Sequence, residues 1–162
     1  MGEETYHLVT LGCPKNQVDS DKLAGTLAAD GMASTDSPAE ADLIIVNSCA
    51  FIADARQESV DTVLALADLR RDGARLVVTG CMAERYGDEL AEALPEVDSV
   101  AGFGVPVVLG RRPDSPSDSE PSLPLFDLLN LPRPASTRPW AYVKIAEGCD
   151  RACGFCAIPT FR

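Results

Sequence analysis

Apolar positions fall into two alternating patterns along residues 1–101. Residues 6–11, 42–47 and 75–79 are short runs rich in Val, Ile and Leu, without the strict apolar–polar alternation of a half-exposed strand. Such runs suit strands buried on both faces of a parallel sheet. Residues 97–101 predict a further strand, and 32–35 a short edge strand. The stretches between them carry helical spacing. Asn16 is placed to cap a helix running to Asp30, with Gly31 as its stop. Ile52, Ala55, Val60, Val63, Leu64 and Ala67 mark the inward side of a second helix, closing before Gly73. Met82, Tyr86, Leu90 and Leu94 recur every four residues on a third, which Pro95 ends. A further turn of helix is expected over 104–110. Strand–helix alternation of this kind predicts an α/β domain over residues 1–110, with a doubly wound parallel sheet.

Residues 111–139 change character. They hold seven of the twelve prolines, with Ser115, Ser117, Ser119 and Ser122, and read as an extended linker. The apolar island 125–131 within it is expected to dock on a neighbouring surface. Residues 140–162 then open a second unit, with Trp140 as a packing anchor at the junction.

Charge and cysteine content narrow the picture. Net charge is −11, and residues 1–110 carry 19 acidic against 7 basic side chains. Such a domain repels phosphate backbones and suits a basic partner, so nucleic acid is not expected to bind this part; a merely solubilising surface is the plainer reading. No apolar run reaches the ~20 residues of a membrane span, and the N-terminus lacks the basic start and apolar core of a secretion signal. Six cysteines in such a chain read as reduced ligands in the cytoplasm. His7, the one histidine, sits mid-strand with no visible acid–base partner and reads as structural.

The cysteines fall into two sets. Cys149, Cys153 and Cys156 stand close enough in sequence to surround one centre. A 4Fe–4S cluster normally takes four thiolates, so three leave one iron open. Zinc is the alternative, but it takes four ligands and no fourth Cys or His follows. Cys13, Cys49 and Cys81 are far apart in sequence, yet each directly follows a predicted strand. In a parallel sheet those turns share one edge, where such folds bind ligands. Each would also sit at a helix N-terminus, which favours a thiolate. A second open cluster is one reading of this set; three unrelated buried cysteines are the other. Lys15 and Asn16, beside Cys13, are placed to orient a group bound there.

The pattern Cys149-x-x-x-Cys153-x-Phe155-Cys156 resembles the signature of the radical S-adenosylmethionine (SAM) enzymes. That resemblance implies a 4Fe–4S cluster whose open iron binds SAM, with Phe155 beside it, and reductive cleavage of SAM to a radical. Residues 141–148 resemble the first strand of that family's barrel. A barrel needs roughly 200 residues, so the chain is expected to be a fragment, inert alone, with residues 141–162 packing poorly. The lone cysteines ahead of the motif resemble the methylthiotransferases. Leu11-Gly12-Cys13-Pro14-Lys15-Asn16 with Val18-Asp19-Ser20, Val46-Asn47-Ser48-Cys49-Ala50-Phe51-Ile52 and Gly80-Cys81-Met82-Ala83-Glu84-Arg85-Tyr86 resemble the branch that modifies a ribosomal protein. The tRNA-modifying branch tends to carry Cys-Gln-Met-Asn at the first cysteine, which is absent here. The resemblance implies an auxiliary 4Fe–4S cluster on Cys13, Cys49 and Cys81, two clusters in all, and SAM and an electron donor as reaction partners. The implied substrate is the β-carbon of an aspartate in basic ribosomal protein S-twelve of the small subunit. The alternatives are methylthiolation of a tRNA adenosine, an iron–sulfur electron carrier, or a zinc-stabilised binding module.

Overall fold

Five parallel strands form one sheet in the order β2-β1-β3-β4-β5 in the computed structural model, which describes residues 4–103, 133–135 and 138–162. The elements are β1 (Thr5–Thr10), α1 (Pro14–Ala29), β2 (Ala33–Ser34), β3 (Leu43–Ser48), α2 (Ala53–Leu69), β4 (Arg75–Gly80), α3 (Cys81–Ala93) and β5 (Ser99–Ala101). Every strand expected from the apolar runs is present, within two residues at each end. The turn of helix over 104–110, most of the linker and the island 125–131 lie outside the described residues.

The sheet is central because β3 is buried at all six positions. Successive side chains point to opposite faces, and the core divides accordingly. Ile44, Val46, Leu76 and Val78 pack with Val63 and Leu66 of α2 and Met82 and Leu90 of α3. Leu43, Ile45 and Val77 pack on the other face with Tyr6, Leu27 of α1 and Met32. Helices thus cover both faces, as in a doubly wound fold. The chain leaves β1 toward β2 and later returns to place β3 on the other side of β1. The strand order therefore switches between β1 and β3, and the crevice at their carboxyl ends is where such sheets take ligands.

Three local expectations are corrected. Asn16 does not cap α1: Cys13 occupies the N-cap position without a side-chain cap, Pro14 begins the helix, and Asn16 is fully buried inside the first turn. The inward face of α2 is Ser59, Val63 and Leu66, with Val60 and Ala67 packed against the same core as expected, whereas Ile52 precedes the helix and, with Leu64, is exposed. Ser59 points inward because it serves the turn after β3: it accepts the Cys49 N–H at 3.1 Å and lies 2.8 Å from the Ala55 carbonyl. Finally, residues 141–148 form no strand, since among the described residues no strand lies beside them to pair with. The segment nonetheless packs: Phe161, after a short 3₁₀ turn at Ile158–Thr160, is buried in the α2/α3 core. His7 is structural, with Nδ1 2.9 Å from the Thr35 carbonyl oxygen. Trp140 is half-exposed, edge-on to Tyr142 and under Arg138.

Asp42, at the start of β3, ties the strand bases together. Its carboxylate accepts the Thr5 N–H at 2.9 Å and the Thr5 hydroxyl at 3.1 Å, and pairs with Arg71. The Thr5 backbone hydrogen bond, helped by Arg71 and opposed by partial burial, holds this carboxyl below the usual carboxylate range. A depressed folded-state pKa means the contribution is complete above the unfolded value of ~3.9 and is lost as pH falls through the folded value. Denaturation curves should therefore show Asp42→Asn less stable than the parent at neutral pH, with the gap closing below about pH 4. A gap independent of pH would refute this account.

Candidate metal centre

The three strand-end turns converge at the switch point. β1 runs through Leu11, whose N–H donates to Asn47 at 2.9 Å, into Gly12 and Cys13. Gly12 has φ +88°, and a Cβ there would stand 2.8 Å from Cys49 Cβ and Sγ, so only glycine lets the two turns close on each other. Cys49 directly follows β3 and is buried under Ser59. Cys81, also buried, is the first residue of α3, entered through Gly80 at φ +89°. Cys13 is exposed. All three thiols line one cleft of about 360 Å³, together with Lys15, Ile158, Phe161 and Arg162. Phe51 and Ile52, 54% and 53% exposed, form its apolar lip.

One buried side chain holds the turns in register. Asn16 Nδ2 donates to the Leu11 carbonyl at 2.8 Å and to the Ser48 carbonyl at 3.0 Å. Its Oδ1 lies 3.6 Å from Cys81 Sγ. A single amide therefore touches the turn before Cys13, the turn before Cys49, and Cys81 itself. Asn47 supports it, donating to the Asn16 carbonyl and to Ser20 Oγ, both at 2.9 Å.

Residues 141–162 close the cleft from the side through a ring of four ion pairs. Asp19 of α1 meets Lys144 at 2.6 Å and Arg162 at 2.8 Å; Glu147 meets the same two cations at 2.5 Å and 2.9 Å. Lys15 adds a hydrogen bond to the Glu147 carbonyl at 2.8 Å. These charges and Phe161 anchor the segment on the domain, while Val143, Ile145 and Phe155 stay 80%, 95% and 96% exposed, so its packing is confined to a few contacts. Burial works against the Arg162 charge, but its bonds to Cys81 and Asp19 outweigh that and keep it protonated. The sequence carried no local signal for its closure on α1, since Asp19 is separated from Lys144 and Arg162 by most of the chain.

The second cysteine set lies outside the cleft. Cys149 and Cys153 are exposed and Cys156 half-buried, in a loop with one internal bond, Cys156 N–H to the Cys153 carbonyl at 3.2 Å. Phe155 is 96% exposed. Burial pushes the Cys81 thiol up, and the Arg162 hydrogen bond offsets this only in part. A metal removes that proton on ligation. Among the described residues, no three Cys, His, Asp or Glu form a group that could hold a single metal ion. The chemistry of the donor set, three thiols on one cleft, fits an iron–sulfur cluster, which takes cysteine thiolates.

A doubly wound α/β domain with a thiol-lined cleft at its switch point is thus the class that fold and site define. The chain belongs to the family described as Uncharacterized protein family UPF0004, whose model matches residues 5–102. Among curated proteins it is 47% identical to the ribosomal protein uS12 methylthiotransferase RimO of Desulfosudis oleivorans, over 96% of this chain and 38% of that protein. The protein of the same name from Myxococcus xanthus is 44% identical over 98% of this chain and 35% of its own length. That from Geobacter sulfurreducens is 42% identical, over 99% and 38% respectively. The chain therefore spans well under half the length of these relatives.

Proposed function

We propose that this chain is the cluster-bearing N-terminal part of an enzyme that methylthiolates an aspartate of ribosomal protein uS12. The convergence of Cys13, Cys49 and Cys81 on one cleft carries the reading, and relatives bearing that name support it. Residues 1–110 form the domain for the auxiliary 4Fe–4S cluster, 111–139 the linker, and 140–162 the opening of the radical-SAM unit. Cys13, Cys49 and Cys81 hold the auxiliary cluster; Cys149, Cys153 and Cys156 hold the other, with Phe155 beside SAM. When bound, the two clusters and SAM supply the radical and sulfur chemistry.

The chain's own residues do the remaining work. Asn16 and Ser59 fix the three turns from which the thiols project. Gly12 keeps the Cys49 turn against the Cys13 turn. Phe51 and Ile52 keep the mouth of the cleft apolar, which limits water at whatever lies inside. The outward face of α2 presents Asp54, Glu58 and Asp61, complementary to a basic ribosomal protein. Among the described residues no helix is long and apolar enough to cross a membrane. On this reading the enzyme acts in the cytoplasm, with an electron donor as a further partner.

The test is anaerobic reconstitution of the full-length protein. It should bind roughly eight irons, as two 4Fe–4S clusters, falling to about four when Cys13, Cys49 and Cys81 are all replaced by alanine. That variant should also leave uS12 unmodified by mass spectrometry, in cells lacking the native gene. Eight irons retained in the variant would remove the site assignment. Unmodified tRNA with normal uS12 after gene deletion would move the substrate to tRNA.

A further inference from the structure

We propose that Arg162 is a positioning residue of the thiol cleft, donating to the Cys81 sulfur and so raising the reduction potential of the cluster held there. The proposal rests on the reading that Cys13, Cys49 and Cys81 hold an iron–sulfur cluster. Arg162 comes from the segment that follows the second cysteine set, yet its side chain is only 3% exposed and enters the first site. Nε lies 3.3 Å from Cys81 Sγ, within the range of an N–H···S bond. Nη2 donates to Asn16 Oδ1 and to Asp19, both at 2.8 Å, and Nη1 to Glu147 at 2.9 Å. Every nitrogen of the guanidinium has a named acceptor, and its plane rests 4.4 Å from the Phe103 ring centroid.

Asn16 explains why a second donor is needed. Its two amide hydrogens are committed to the Leu11 and Ser48 carbonyls, so its oxygen must face Cys81. A neutral thiol can donate to that oxygen. A ligating thiolate cannot, and two electron-rich atoms would then be left opposed. The guanidinium resolves the conflict by donating to both at once, which a planar fork of five N–H groups allows and an ammonium on a flexible stem does not. Cluster potentials respond to net charge, hydrogen bonds to sulfur and solvent exposure. A cation that hydrogen-bonds a ligating sulfur acts in one direction through the first two: it favours the reduced, more negative state. The ion pairs to Asp19 and Glu147 hold the cation in place, and in doing so fasten the segment bearing the second cysteine set to α1.

A plain structural role for the ion pairs predicts lost packing but no change in potential. The discriminating experiment uses the full-length protein with Cys149, Cys153 and Cys156 replaced by alanine, so that only the cleft is loaded. Its midpoint potential is read by spectroscopically monitored titration with dithionite. Arg162→Gln should retain about four irons per chain and reduce at a more negative potential than the parent. Arg162→Lys, which keeps the charge but loses the fork, should shift less in the same direction. Should the glutamine variant lose its iron, the lysine variant carries the comparison. An unchanged potential in an iron-replete variant overturns the role of Arg162 and leaves the cluster assignment standing. Failure of the parent with Arg162 intact to bind iron overturns both.

Discussion

Gly80→Ala is expected to destabilise the domain by roughly 3–5 kcal/mol, the upper end of what single substitutions do. Gly80 ends β4 with φ +89° and ψ −162°, a region essentially closed to residues with a Cβ. Strain is only part of the effect. An added Cβ would stand 2.3 Å from Asn47 Oδ1, 2.6 Å from the Ser48 carbonyl oxygen and 2.8 Å from the Ser48 nitrogen. Ser48 is backbone of the paired, fully buried central strand, and Asn47 is pinned by two hydrogen bonds, so neither can retreat cheaply. A midpoint lower by about 10 °C or more in thermal unfolding is the expected reading. Gly31→Ala and Gly73→Ala provide the control. Both glycines have left-handed φ, +85° and +83°, with nothing within 4 Å of an added Cβ. They should cost only the backbone term of about 1–2 kcal/mol. Equal losses at all three positions would show that the close approach of β4 to β3 contributes nothing.

The centre of the sheet was legible in the sequence because β3 and β4 are buried on both faces and therefore appear as unbroken runs of Leu, Ile and Val. The shared edge of Cys13, Cys49 and Cys81 followed from parallel topology alone, without any contact information. Asn16 was misread because asparagine just after a strand-end turn looks the same whether it caps a helix or turns inward. Only the positions of Leu11 and Ser48, one turn of chain and one strand away, decide between the two. Of the expected inward face of α2, Val60, Val63 and Ala67 do pack on the core; Ser59 was missed because it is polar, and hydropathy gives no credit for a hydroxyl that serves a neighbouring turn. Arg162 and Asp19 were beyond reach for another reason. Their pairing spans 143 residues, and ion pairs at that separation leave no periodicity to read. Residues 141–162 leave Tyr142, Val143, Ile145 and Phe155 exposed, as a segment without strand partners would, but their charged side chains find anchors on α1 that apolar patterning does not show.

Replacing Asn16 is expected to have the other large effect, and it separates the hydrogen-bonding role of the amide from its bulk. Asn16→Leu keeps a similar volume but removes both donors, leaving the Leu11 and Ser48 carbonyls without them in a buried site. At about 1–3 kcal/mol for each of the two buried carbonyls stripped of its donor, a loss of roughly 2–6 kcal/mol in urea denaturation is expected. Asn16→Asp is the sharper probe, since it is nearly isosteric. An ionised carboxylate offers no donor and would face two carbonyl oxygens with its charge desolvated, so this variant should be less stable than the leucine one at neutral pH. It should recover part of the difference in acid, where a protonated carboxyl can donate to one of the two carbonyls. Iron content adds a second readout. If the amide sets the spacing of the three turns, both variants should load less iron at Cys13, Cys49 and Cys81 than at Cys149, Cys153 and Cys156, a set that Asn16 does not touch. Loss of stability with full loading of both sets would reduce Asn16 to a packing residue. Equal stability of the leucine, aspartate and parent proteins would show instead that the two carbonyls find other donors, and that the turns are held by the sheet alone.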